Sequence, residues 1–95
     1  MRCVDLFLPP DLQNLYDSLA TAIRKAIDDN IKFEVQVILD GSPSENVTVV
    51  LDTFKLDKEI MNKMLKDVGR AVRGIVEDPK IRVLIYLHGT VSSEV

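Results

Sequence analysis

Residues 31–52 read IKFEVQVILDGSPSENVTVVLD, and the fold turns on how they are arranged. Phe33, Val35, Val37 and Leu39 fall on every second position, and after Asp40-Gly41-Ser42-Pro43-Ser44-Glu45 the alternation resumes with Val47, Val49 and Leu51. A period of two marks a strand with one apolar face, and two such runs across a turn-rich hexapeptide predict a β-hairpin. Two strands alone are marginal in water, so other segments must roof their apolar row.

Working outward, Arg2 to Leu8 alternates as well, with Val4, Leu6 and Leu8 on one side and Cys3, Asp5 and Phe7 on the other. Pro9-Pro10 ends this strand and opens a helix, since a proline in the first turn forfeits no helical hydrogen bond. From there Leu12, Leu15, Tyr16, Leu19, Ile23, Ala26 and Ile27 recur at three and four residues and predict a helix over about Pro10 to Asp29. On the far side of the hairpin, Leu56-Asp57 reads as the start of a second helix, with Asp57 as cap and Leu56 stapled to Met61. Ile60, Met64, Val68, Ala71, Val72 and Ile75 form its apolar stripe, and Glu77-Asp78-Pro79 stops it. Ile81, Val83, Ile85 and Leu87 then alternate as a last strand.

The order is therefore β-α-β-β-α-β. A central hairpin combined with right-handed crossovers predicts an α+β, ferredoxin-like two-layer sandwich. Its sheet is antiparallel in the order 4-1-3-2, with both helices on one face. Residues 1–89 make this single domain and residues 90–95 a flexible polar tail. The topology resembles that of acylphosphatases, ACT-type regulatory domains and RNA-recognition modules. That resemblance lies in the fold and transfers no site residue, because Pro9-Pro10 stands where an acylphosphatase would carry its phosphate-cradling loop.

Composition narrows the function classes. The chain has 95 residues, 46% apolar and 28% charged, which suits one compact core. Its formal charge of -3 offers no general attraction to nucleic acid or anionic membranes. No apolar run approaches the roughly 20 residues of a membrane helix, and no export signal precedes the first strand. The single Cys3 cannot form an internal disulfide. Together these features predict a cytoplasmic protein.

The face of the sheet turned away from the helices carries Phe7, Ile38, Val50, Leu84 and Tyr86. Five large apolar groups on one surface predict an interface with a protein partner or a second copy as a homodimer. On helix two, Lys63, Lys66, Arg70 and Arg73 share the outer side and could grip an anion, although Glu59, Asp67 and Glu77 break the row. Cys3, Asp5 and His88 share a face without metal-ligand spacing, so no metal site is expected. No glycine-rich phosphate loop exists, and no nucleophile with an orienting base can be assembled, so neither catalysis nor a cofactor is expected. RNA binding is argued against by a third strand, Val47-Thr48-Val49-Val50-Leu51, that lacks stacking aromatics. The sequence thus points to a non-enzymatic self-association or interaction module, the alternatives being an idealised, designed scaffold and an anion-binding domain.

Overall fold

The computed structural model describes residues 2–32, 34–42, 44–51, 57–87 and 91–94. Strand β1 (Arg2–Leu8) leads through a 3-10 segment (Pro10–Leu15) into helix α1 (Tyr16–Asp28) and strand β2 (Val35–Gly41). Strand β3 (Val47–Leu51), helix α2 (Lys58–Arg73) and strand β4 (Val83–Leu87) repeat the pattern, and a short β5 (Val91–Glu94) follows.

The sheet is mixed, in the order β2-β1-β3-β4-β5. β2 runs parallel to β1, with Val4 beside Val37 and Leu6 beside Leu39. β4 runs parallel to β3, with Val49 beside Ile85. The two β-α-β units meet where β1 and β3 pair antiparallel, Leu6 opposite Val49. The ferredoxin-like order 4-1-3-2 is therefore corrected: β2 and β3 are not a hairpin, and β1 lies between them. The physical reason is the connection 42–46. Five residues reach across the two inter-strand steps, about 10 Å, needed to pass the end of β1. Ser42 N–H donates to Leu8 O at 3.0 Å and holds this connection against the strand it passes. At its other end, Val47 N–H donates to Arg82 O at 2.9 Å and starts the second half of the sheet.

Period two dictates which side chains go inside. Val4, Leu6, Leu8, Val37, Val47, Val49, Leu51, Val83, Ile85 and Leu87 are buried in one cluster with Leu19, Ile23 and Ile27 of α1 and Met64, Leu65, Val68 and Val72 of α2. Both helices therefore cover the same face. Leu39 belongs to this row by register but is 39% exposed, because it lies on the edge strand.

Local details also depart from expectation. The first turns after Pro10 wind as 3-10 helix, and the regular α-helix starts only at Tyr16. Asp57 occupies the N-cap position of α2, but its side chain makes no cap bond. Ile60, expected on the buried stripe, is 39% exposed, while Val76 past the helix end is buried. Val91–Glu94, expected within a frayed tail, pairs antiparallel with β4. Phe33, Asp52, Leu56 and His88 lie outside the described residues.

Candidate functional site

Among the described residues, three regions gather polar or exposed groups. The first is the sheet face that no helix covers. Register places Ile38, Asp5, Val50 and Tyr86 side by side across β2, β1, β3 and β4. The adjoining row on those strands is Asp40, Phe7, Thr48 and Leu84. All five apolar residues named from sequence thus sit in two neighbouring rows. Ile38 is 37% and Tyr86 41% exposed, and Phe7, Val50 and Leu84 are half-buried. Asp5 is half-buried between Ile38 and Val50, with Cys3 and Gln36 paired in the next row. Asp5 and Tyr86 are two strand spacings apart, about 10 Å between backbones. A carboxylate and a phenol thus flank a strip of apolar surface.

The second region is a cleft of ≈250 Å3 at the carboxyl end of β1, lined by Pro9, Asp11, Leu12, Glu45, Asp78, Lys80 and Ile81. Three carboxylates against one ammonium make it repel anions. Its rim is fixed by Arg73, whose guanidinium donates to Asp78 O at 3.0 Å and Ile81 O at 2.5 Å. Asp78 Oδ1 in turn accepts the backbone N–H of Lys80 at 2.9 Å.

The third lies where the end of α1 meets α2. Lys63 Nζ donates to Asp67 Oδ2 at 2.9 Å and to Asn30 Oδ1 at 3.2 Å. Asn30 Nδ2 donates to the same Asp67 oxygen at 2.9 Å and to Ala26 O at 2.8 Å. The Lys63 hydrogen bond, aided by that from Asn30, holds the Asp67 carboxyl below the usual range and outweighs the opposing effect of burial.

These bonds decide the basic row. Lys63 is engaged across the helix interface and Arg73 with the α2–β4 connection, while Lys66 and Arg70 are exposed. The four cations do not converge as one anion grip. The sequence signal that separates them is position, because Arg73 precedes the helix stop at Gly74, where cations bind free carbonyls. Among the described residues no group of three or more His, Cys, Asp or Glu is arranged to hold a metal ion. No helix among them is long and apolar enough to cross a membrane.

No family model matches the chain, and no curated protein does. Solved structures do. A fused 4-OT named Q0, described as a symmetric trimer, superposes with a TM-score of 0.76 over 93% of this chain and 85% of its own, at 15% identity. N1, a member of the cis-3-chloroacrylic acid dehalogenase family, gives 0.74 over 90% and 72%, at 16% identity. Pt0534, solved after inactivation by 2-oxo-3-pentynoate, gives 0.70 over 94% and 89%, at 14% identity. The shared architecture is the tautomerase fold. These neighbours are enzymes, which overturns the expectation of a non-enzymatic module.

Proposed function

We propose that the chain is the subunit of a homotrimeric enzyme that isomerises or dehalogenates a small unsaturated carboxylate. The observation that carries this is the tandem β-α-β architecture shared with Q0, N1 and Pt0534 over at least 90% of the chain. The two small molecules named with those neighbours have one chemistry in common: a carboxylate end and a conjugated multiple bond whose far carbon is electrophilic. Turning over such a molecule requires a group that moves a proton beside it, in a place shielded from water.

The uncovered sheet face meets that need once copies assemble. Phe7, Ile38, Val50, Leu84 and Tyr86 turn toward the assembly axis and exclude water. Asp5, set between Ile38 and Val50 on that face, is the acid–base group, because its carboxylate stands beside the apolar strip that a substrate would occupy. Tyr86 is the hydrogen-bond donor across the strip. The cleft at the end of β1 does not compete, since its three carboxylates disfavour a carboxylate substrate.

The test uses the purified chain with two probes. Chloride release from cis-3-chloroacrylate and a covalent mass increase with 2-oxo-3-pentynoate support the assignment. Asp5→Asn is expected to lower the rate by about 100-fold or more, with the circular dichroism of the variant unchanged. Neither turnover nor adduct with the trimeric protein would overturn it.

A further inference from the structure

We infer that Tyr16 and Arg24 form an autoinhibitory clasp on the outer edge of β2, which keeps that strand from pairing with β2 of a second copy. β2 is one margin of the sheet, and its sequence makes it the margin at risk. Val35-Gln36-Val37-Ile38-Leu39 runs without a charge, a proline or a glycine, and only Gln36 in it is polar. Edge runs of that kind recruit other strands. The opposite margin, β5, is short, Val91–Glu94.

Ser42 N–H donates to Leu8 O at 3.0 Å, so the even-numbered residues of β2 face β1 and the odd-numbered ones turn their N–H and C=O outward. The first two outward carbonyls are each taken by a side chain of α1. Arg24 Nε donates to Val35 O at 3.3 Å, and the Tyr16 hydroxyl donates to Val37 O. An added strand would run about 4.8 Å beyond β2 and put its N–H groups where these two donors already stand. Positions 16 and 24 are just over two turns apart and lie within about 80° of each other around α1, so one flank of the helix supplies both. Tyr16 packs against the core, which holds its ring over the edge. The outward positions that remain are Leu39 and Gly41, with the charged Asp40 between them, too short a run for two like strands to join stably.

What the clasp blocks follows from symmetry. Pairing β2 with β2 of another copy about a twofold axis is antiparallel and self-complementary, so each copy spends one edge and the joint closes. Its product is a doubling of whatever the wild-type chain forms, with two sheets continued as one. The clasp therefore stands apart from the trimer and enzyme readings, and its test does not depend on either.

Two measurements on the full chain test this. The first uses the double variant Tyr16→Phe/Arg24→Met, which removes both donors and keeps the ring and most of the aliphatic stem. Sedimentation is expected to show a species of twice the wild-type mass, at concentrations about tenfold or more below any at which the wild type forms it. In that species the amides of Val35 and Val37 should exchange about 100-fold more slowly. A variant with native circular dichroism that keeps the wild-type mass, or doubles without protecting those two amides, would overturn the clasp. The second measurement is amide exchange of the wild-type chain across concentration. Val35 and Val37 are expected to exchange alike when dilute and when concentrated. Slowing there with concentration, while both donors are in place, would overturn the clasp even if the double variant failed to fold.

Discussion

Arg73 shows how one side chain can fix a connection that has little regular structure. Its guanidinium reaches the carbonyls of Val76, Asp78 and Ile81 and so sets the path from α2 into β4. Arg73→Ala leaves those carbonyls without their charged donor and should cost about 2 kcal/mol in a urea melt. Asp67 gives a pH-dependent counterpart. Its folded-state pKa is depressed from 3.8, so its contribution is complete above the unfolded value and fades as pH falls through the folded one. Thermal melts of wild type and Asp67→Asn should differ near neutrality, and that difference should shrink as the solution is acidified below about pH 4. Neither role could be read from spacing alone. Periodicity puts Arg73 and Lys63 on the outer side of a helix, but which carbonyl or carboxylate stands opposite depends on a loop and on another helix.

Among the elements, side-chain alternation and helical stripes were legible wherever one face had to be dry. Val4, Leu6 and Leu8, then Val47, Val49 and Leu51, reveal their inner face by period two alone. Neighbour relations were not legible, because a strand shows the same alternation whether its partner lies to its left or its right. The signal that could have decided the matter was the length of the connection between Gly41 and Val47. A two-residue turn forces adjacency; five residues allow a strand between. A variant in which residues 42–46 are replaced by Asn-Gly is therefore expected to lose the native fold. Its amide exchange and circular dichroism would show this, whereas a hairpin at that point would have been stabilised by the same change. The candidate site shows the same division. The apolar face of Phe7, Ile38, Val50, Leu84 and Tyr86 can be read from strand periodicity, but its order across the sheet, with Asp5 between Ile38 and Val50, needs the topology.

For the whole molecule, one face of the sheet is roofed and the other is not. In the proposed trimer other copies bury that second face, so association and activity should be lost together. Tyr86→Asp places a charge in the row that holds Asp5, and like charges brought together out of water repel. The association constant should fall at least about tenfold, measurable by sedimentation, while the monomer melts within about 0.5 kcal/mol of wild type because the residue is 41% exposed.

β1 lies inside the sheet, flanked on both sides, although it is the first of the five strands to be synthesised. Its parallel partner is released by residue 41, but its other neighbour arrives only with residues 47–51. During translation the nascent first unit therefore carries a raw flank along Val4 to Phe7 until β3 emerges. A growing chain at this stage is the species most in need of chaperone cover, and codons that slow elongation just after residue 41 would prolong its exposure.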